Sequence, residues 1–224
     1  MKKLLSLTIP LIFGSLGSIA TAEDSNNFYL SLGGGIAFPS DVEGDFTLSG
    51  TKYDSGYETK NPFLYGIGLG KEFKDWRIEF NFSGAQIKSN TFFAKTGGTG
   101  VTASFTPDLK FNVKNYMVYG YRDISNDSKF TPYIGAGLGT TSYNSPAQTL
   151  TVAGTSVSVE KFDKTVFSFG LKGGVNYEIS DQTILFSEVS YLNGAKFKTN
   201  EAGTTINYDS NSWVGLLAGV RFNF

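Results

Sequence analysis

Acidic and basic residues stand at alternate positions inside apolar segments, a spacing that can build a buried charge network. In residues 76–80, Trp-Arg-Ile-Glu-Phe, two opposite charges alternate with apolar side chains, and an extended strand puts such charges on one face. The sequence predicts nine inward charges: Arg77, Glu79, Lys110, Lys114, Arg122, Lys172, Glu178, Glu188 and Arg221. Charges on an enclosed face must pair or be hydrated.

At the centre of this set we expect an interior polar network in which Glu79 and Glu188 face Lys114, Lys172 or arginines such as Arg122. The sequence does not decide the pairs. Two roles remain open, a structural polar plug or a gate over a narrow ion path.

Composition leaves little room for other chemistry. The chain has no His and no Cys, which excludes imidazole catalysis, thiolates, disulfides and sulfur-ligated metals. The G-x-G runs lie inside strand patterns with no helix following, and no metal-ligand spacing occurs. We predict no catalytic, cofactor-binding or metal-binding residues. The 19 basic residues are scattered among 20 acidic ones, so no nucleic-acid partner is expected.

Eight segments of period-two alternation would carry the charges. They are residues 28–38, 63–73, 76–83, 109–122, 130–143, 165–178, 183–193 and 214–224. In the fourth segment the apolar parity is predicted to face outward, which turns Lys110, Lys114 and Arg122 inward; that apolar parity comprises Leu109, Phe111, Val113, Met117, Tyr119 and Tyr121. In the seventh segment Glu188 shares a face with Phe186, whereas Val189 favours the other parity.

The connections between these segments alternate between short and long. Residues 74–75, 123–129 and 179–182 are turn-like, whereas 39–62, 84–108, 144–164 and 194–211 are long and rich in Gly, Ser, Thr and Asn. This rhythm is typical of a barrel with both termini in the periplasm. The sequence therefore predicts an all-β fold, an eight-stranded antiparallel up-and-down transmembrane β-barrel with four long extracellular loops and three short periplasmic turns. Alternation within three long loops predicts hairpins over residues 45–53, 150–159 and 196–208.

Aromatic residues are predicted to form two rows on the apolar face, as expected at the two membrane interfaces. The row at the short turns is Phe28, Phe73, Trp76, Tyr121, Phe130, Tyr177 and Phe222, and the row at the long loops is Phe38, Phe63, Phe82, Phe111, Phe167 and Tyr191. The alternative, the aromatic core of a secreted β-protein, does not predict two rows. Lys71 carries a charge on the lipid-facing parity and must snorkel to the interface.

The first 22 residues predict a cleaved signal peptide. Lys2 and Lys3 precede an apolar run, and residues 20–22, Ala-Thr-Ala, form a cleavage site after Ala22. The alternative, an uncleaved anchor, would need a run of about 20 apolar residues. We expect residues 23–224 to form one barrel in the outer membrane of a Gram-negative-type bacterium.

The last eleven residues, Val-Gly-Leu-Leu-Ala-Gly-Val-Arg-Phe-Asn-Phe, alternate cleanly and end on an aromatic ring. This C-terminal segment, residues 76–80 and residues 131–139, Thr-Pro-Tyr-Ile-Gly-Ala-Gly-Leu-Gly, carry a resemblance to a known family. The chain resembles the opacity and surface-antigen group of small outer-membrane proteins, whose barrel is similar to the OmpA transmembrane domain. The resemblance implies that Phe222 and Phe224, chiefly Phe224, form the signal read by the barrel-assembly machinery.

We therefore expect a surface-antigen or adhesion protein without catalysis, with a narrow porin-like channel as the alternative. Outer-membrane enzymes resemble this architecture, but their usual mechanisms rely on His. The expected partners are outer-membrane lipid and lipopolysaccharide, the assembly machinery with periplasmic chaperones, and a host or cell-surface ligand at the loops. We expect a monomer.

Overall fold

The computed structural model describes residues 28–201 and 204–224, here called the described chain. It contains fourteen strands, and every pairing between them is antiparallel. They are β1 Phe28–Pro39, β2 Val42–Leu48, β3 Thr51–Lys60, β4 Phe63–Phe73, β5 Trp76–Thr96, β6 Thr99–Asp123, β7 Phe130–Ser145, β8 Gln148–Val152, β9 Thr155–Val159, β10 Phe162–Ser180, β11 Thr183–Gly194, β12 Phe197–Glu201, β13 Thr204–Tyr208 and β14 Asn211–Asn223. The described residues include no helix of the length and apolarity needed to cross a membrane. The predicted signal peptide, with Ala22, lies outside the described residues.

Eight strands form a closed ring. Their order is β1, β4, β5, β6, β7, β10, β11 and β14, and β14 pairs back onto β1 from Tyr29–Asn223 to Pro39–Trp213. Seven of the eight predicted segments fall within one of these strands, the eighth extends one residue beyond the end of β14, and β4 has the predicted bounds. The prediction of an all-β antiparallel ring of eight strands is confirmed.

Side chains along the ring alternate between an apolar outer face and a buried inner face. On β5, Ile78 and Phe80 are each 54% exposed, whereas Arg77 and Glu79 are each 4% exposed. A water-soluble protein rarely exposes such a continuous apolar band, but a strand that faces lipid on one side requires it. On β11 the structure resolves the ambiguous parity, since Val189 faces outward and Glu188 inward.

The predicted parity of β6 is wrong. Met117, Tyr119 and Tyr121 are buried inside the ring, while Lys114 and Val118 face outward. Both faces of this strand carry apolar groups, because the interior needs large side chains to fill the space above glycines on the facing strands. The number of apolar residues on each face of β6 therefore does not indicate which face points outward.

The same inversion removes Tyr121 and Phe111 from the predicted aromatic rows, since both lie on the inward parity. Outward rings remain in contact near the long-loop end, where Tyr65, Phe82 and Tyr116 have centroid separations of 6.2 and 5.3 Å. We call these three residues the outer ring row. At the opposite end, Lys71 Nζ lies 4.8 Å from the centroid of the Phe28 ring, a cation–π contact that accommodates this charge.

The ring wall continues beyond the outer ring row. Six additional strands and the long upper parts of β5 and β6 form a sheet in the order β12, β13, β2, β3, β5, β6, β8, β9. The hairpins β2–β3, β8–β9 and β12–β13 correspond to the three predicted loop hairpins. In the described chain no backbone pairing joins β9 to β12, which leaves a seam in this part of the wall.

Candidate functional site

A buried ion pair lies near the short-connection end of the interior. The Arg77 guanidinium donates to both carboxylate oxygens of Asp123, at 2.8 and 3.0 Å. It also lies 4.5 and 4.9 Å from the ring centroids of Tyr121 and Tyr133. Asn176 donates a long hydrogen bond, 3.5 Å, to the same carboxylate. This bidentate geometry between two tyrosine rings suits Arg rather than Lys.

Glu79 is held by neutral donors. Its carboxylate accepts hydrogen bonds from the Ser31 hydroxyl at 3.1 Å, the Asn81 amide at 2.9 Å and the Tyr121 hydroxyl at 3.1 Å. Among the described residues no Lys or Arg nitrogen lies within 4.0 Å of it. These three hydrogen bonds therefore stabilise the Glu79 carboxylate in place of the expected cationic partner.

Glu188 carries the second interior ion pair. Lys172 Nζ lies 3.1 Å from Glu188 Oε1, and the Tyr133 hydroxyl donates to Oε2 at 3.1 Å. The same ammonium lies 4.5 Å from the centroid of the Tyr119 ring. Since Tyr133 touches both Arg77 and Glu188, the two ion pairs belong to one continuous network.

A third interior pair joins β14 to β4. Arg221 Nη1 donates to Glu72 Oε1 at 3.0 Å, and the guanidinium lies 5.1 Å from the Tyr29 ring centroid. This contact helps to close the ring, because β1, which carries Tyr29, lies between these two strands.

Tyrosine rings fill most of the remaining interior by lying over glycines of other strands. A Cβ added at Gly70 would overlap the Tyr29 ring, and one added at Gly170 would overlap the Tyr119 hydroxyl. The central cavity left between the network and these rings has a volume of about 50 Å³. A cavity of this size holds only a few water molecules, so side chains fill most of the interior at this level.

The structure brings together three of the five residues predicted for the interior network. Glu79, Lys172 and Glu188 all line the central cavity. The placement of Lys114 and Arg122 is wrong: Lys114 is exposed on the outer face, and Arg122 pairs with Asp75 at 3.3 Å on the outside. Both errors follow from the inverted parity of β6.

Asp123 and Glu72 also pair with interior arginines, although neither is among the nine predicted inward charges. The turn predicted over residues 123–129 includes Asp123, but β6 extends to Asp123, which shares the inward parity of Tyr121. Glu178, one of the nine predicted charges, is exposed at the end of β10.

Beyond the outer ring row, two aromatic clusters hold the hairpins together. The first cluster contains Tyr57, Phe92, Phe105 and Phe111, with Tyr57 at 5.4 to 6.5 Å from the other three ring centroids. Buried Leu109 and Leu150 complete it. Since these residues come from β3, β5, β6 and β8, the cluster ties three long loops to one another.

The second cluster, Tyr143, Phe162, Phe197 and Tyr208, lies beside the seam. Phe197 stacks on Tyr208 with centroids 4.9 Å apart and is 6.0 Å from both other rings. Next to the seam, Lys164 Nζ on β10 donates to the backbone oxygen of Lys198 on β12 at 3.4 Å. Side chains thus bridge the wall where backbone pairing is missing.

An exposed ion pair links the two ends of the fourth long connection. Lys196 Nζ lies 2.6 Å from Asp209 Oδ1. The hydrogen bond and the charge of Asp209 raise the pKa of the Lys196 ammonium. Because this pair is exposed to solvent, it contributes little to the stability of the fold.

The hairpin tips present exposed aliphatic side chains. Leu48, Val101 and Val157 are 54%, 68% and 44% exposed, respectively. All three tips turn through consecutive positive φ values, at Ser49–Gly50, Gly97–Gly98 and Ala153–Gly154, as in tight type I′ hairpins. The tips are therefore structured surfaces.

The last residues complete the ring next to its first strand. The Phe224 backbone N–H donates to the Phe28 oxygen at 2.8 Å. The side chains of Phe222 and Phe224 are 43% and 62% exposed on the outer face. Their role as an assembly signal stays a prediction.

A closed ring with an apolar outside and a charged, filled inside defines an integral outer-membrane β-barrel protein. The family model described as outer membrane protein beta-barrel domain matches residues 9–224, and the chain belongs to this family. Its membership places the protein in the bacterial outer membrane, as the sequence predicted.

Individual proteins agree with this assignment. The chain is 28% identical to outer membrane protein PagN of Salmonella typhimurium, over 79% of this chain and 78% of that protein. It is 26% identical to a protein of Rickettsia bellii named "Putative adhesin", over the full length of both. Among solved structures it is similar to OprG of Pseudomonas aeruginosa, with a TM-score of 0.58 and 17% identity over 89% of this chain and 96% of that one. It is also similar to the outer membrane protease OmpT of Escherichia coli, with a TM-score of 0.59 and 10% identity over 91% and 99%.

Proposed function

We propose that this protein is an adhesin, in which the barrel is a rigid base and the hairpin tips contact a host or neighbouring cell. The observation that carries the proposal is the continuation of the ring wall into a packed sheet, held by two aromatic clusters, that ends in exposed aliphatic side chains. Ordered tips lose little conformational entropy on binding. The name of the Rickettsia bellii relative supports the same role.

The proposal places the hairpins outside the cell as four long extracellular loops. The connections at residues 74–75, 124–129 and 181–182 then form three short periplasmic turns. Outer-membrane barrels have short periplasmic turns and longer extracellular loops, which supports this orientation.

A non-catalytic role is part of the proposal. The sequence has no His, and the described residues contain no group of three metal-ligating side chains. The interior acids that could do proton chemistry are occupied by Arg77, Lys172, Arg221 or the three donors to Glu79. The similarity to OmpT concerns the fold and brings no catalytic residue to this chain.

The narrow channel has weaker support. The interior charges would line an ion path, but the tyrosine rings and the ion pairs leave a cavity of only about 50 Å³. Conductance of the purified protein in planar bilayers would favour the channel, whereas silent bilayers are expected for the adhesin.

The route to the membrane is proposed from the termini. A signal peptide cleaved after Ala22 would direct export, periplasmic chaperones would carry the unfolded chain, and the barrel-assembly machinery would recognise Phe222 and Phe224. In the part of the chain that the structure describes, each of the eight ring strands pairs on both sides, which is compatible with a monomer.

Adhesion can be tested by expressing the protein in a non-adherent laboratory bacterium and counting cells bound to a host-cell monolayer. We expect the L48D/V101D/V157D variant to lose at least about tenfold in binding, since charges at desolvated contacts are costly. The matched control T47D/T102D/S156D adds the same three charges to neighbouring exposed residues of the same hairpins and should retain most binding. Equal loss in both variants, or no gain by the wild type over empty cells, would contradict the proposal.

A further inference from the structure

Three lysines lie on the outer face of the ring just beyond the outer ring row. Lys88 on β5 and Lys110 on β6 stand directly opposite each other in the strand register. Lys114 lies four residues further along β6, closer to the outer ring row and opposite Gly84. All three side chains are exposed. We call Lys88, Lys110 and Lys114 the lysine patch.

The lysine patch is unneutralised. Directly opposed like charges on neighbouring strands destabilise a sheet, yet among the side chains that the structure describes no carboxylate lies within 4.0 Å of these ammonium groups. The next lysine in the row, Lys60, pairs with Asp108 at 2.8 Å. Positive charge is therefore concentrated on β5 and β6 without a protein partner.

The height of the patch matches a membrane interface. The Trp76–Arg122 pair marks the short-connection end of β5 and β6. With about 3.3 Å per residue and a strand tilt of about 40°, Lys114 lies roughly 20 Å above that pair, and Lys88 and Lys110 roughly 30 Å above it. An apolar band of about 25 Å ends between these levels, so the flexible ammonium groups reach the headgroup layer.

Polar groups between the lysines complete a surface that suits phosphate. Gln86 and Asn112 form an opposed pair between the two lysine levels and share a 3.0 Å hydrogen bond. The Tyr65 ring leans over Gly84, the residue opposite Lys114, so closely that a Cβ there would meet its hydroxyl. Amide and phenol donors next to ammonium groups can bind several oxygens of one phosphate.

The acidic side chains around this surface do not cancel its charge. Asp108 is taken by Lys60. Asp163 lies across two strand pairings from Asn112 and accepts a hydrogen bond from Asn144 at 3.3 Å. The patch therefore keeps a local excess of positive charge toward the lipid.

We propose that the lysine patch binds the phosphate groups of a phosphorylated glycolipid of the outer leaflet, lipopolysaccharide, and thereby fixes this side of the barrel to its surrounding lipid. The proposal rests on the orientation under "Proposed function", because only the extracellular side of the outer membrane carries this lipid. It adds a binding site on the wall that is separate from the adhesive tips.

The test uses the full-length mature protein in detergent or nanodiscs with purified lipid A as the probe. We expect K88Q/K110Q/K114Q to bind diphosphorylated lipid A at least about tenfold more weakly than the wild type in native mass spectrometry. The matched control K95Q/K129Q/K161Q removes three exposed lysines elsewhere and should bind like the wild type. Dephosphorylated lipid A should bind both proteins equally weakly, and millimolar free phosphate should not displace the lipid.

Folding of each variant is checked by migration of unboiled samples on SDS gels. Equal lipid A binding by the patch variant and its control would overturn the proposal. So would equal binding of diphosphorylated and dephosphorylated lipid A by the wild type. A single T99C substitution at the β5–β6 tip, labelled by an impermeant maleimide on intact cells, tests the orientation separately. Labelling of intact cells together with unchanged lipid A binding by K88Q/K110Q/K114Q would contradict the lipid site alone. Labelling only after lysis would contradict both the lipid site and the proposed extracellular orientation.

Discussion

The ring inside the membrane and the sheet beyond it share continuous strands but differ in what their inner faces contain. Within the membrane the interior holds ion pairs capped by tyrosines, and the outside is apolar. Beyond the outer ring row the inner face holds the two aromatic clusters, and the outside carries lysines, as Phe111 and Lys110 show on β6. The surrounding solvent therefore decides the content of each face, while the backbone pairing stays the same.

The largest effect should come from breaking the buried pair in the membrane region. Asp123→Ala leaves the Arg77 charge buried, 4% exposed, without its bidentate partner, which we expect to cost about 3–5 kcal/mol of the free energy of unfolding. Urea titration in lipid vesicles measures this. The control Asp75→Ala breaks the outer pair with Arg122, whose side chain is 43% exposed, and should cost less than about 1 kcal/mol. Equal costs would mean that the interior is hydrated like the surface.

Packing of tyrosine on glycine should give the next largest effect. Gly170→Ala would push against the Tyr119 hydroxyl and cost about 1–3 kcal/mol in the same titration. Tyr119→Phe in the same chain should recover part of that loss, because it removes the overlapping atom. The control Gly120→Ala meets no atom within 4 Å and should be neutral. Lack of rescue would show that the clash lies elsewhere.

A smaller global effect is expected beyond the membrane. Phe105→Ala removes a buried ring, 6% exposed, from the first aromatic cluster. We expect proteolysis of the hairpins to accelerate at least about tenfold while the urea midpoint of the barrel barely moves, since the hairpins can open locally. Coupled loss of both would show that the two regions unfold as one unit.

The smallest effect belongs to the exposed pair Lys196–Asp209. The raised pKa of Lys196 means that the contribution of the pair is fully present below the ordinary lysine pKa, about 10.4, and is lost as pH rises through the raised value. We expect hydrogen exchange of the β12–β13 hairpin, corrected for intrinsic rates, to stay constant from about pH 6 to 9. A step in that range, absent from Lys196→Gln, would contradict this assignment.

Much of the ring was predictable because lipid enforces a strict period of two. The alternation of β4, β5 and β14 gave their positions and faces, and Arg77, Glu79, Lys172 and Glu188 were correctly turned inward. The face of β6 was not predictable by counting apolar residues, since a filled polar interior also demands large rings such as Tyr119. The pairings Arg77–Asp123 and Arg221–Glu72 depend on register between distant strands, which no local pattern encodes.

The seam between β9 and β12 sets different limits on change in different loops. The β2–β3 hairpin is hydrogen-bonded to β13 on one side and to β5 on the other. A longer hairpin would therefore have to keep its register with both neighbouring strands. The β8–β9 hairpin has one unpaired edge in the described chain, and its turn at Ala153–Gly154 can grow or acquire an inserted epitope without a compensating change elsewhere. Antigenic variation in this protein should therefore accumulate first along the two free edges of the seam, β9 in the third loop and β12 in the fourth.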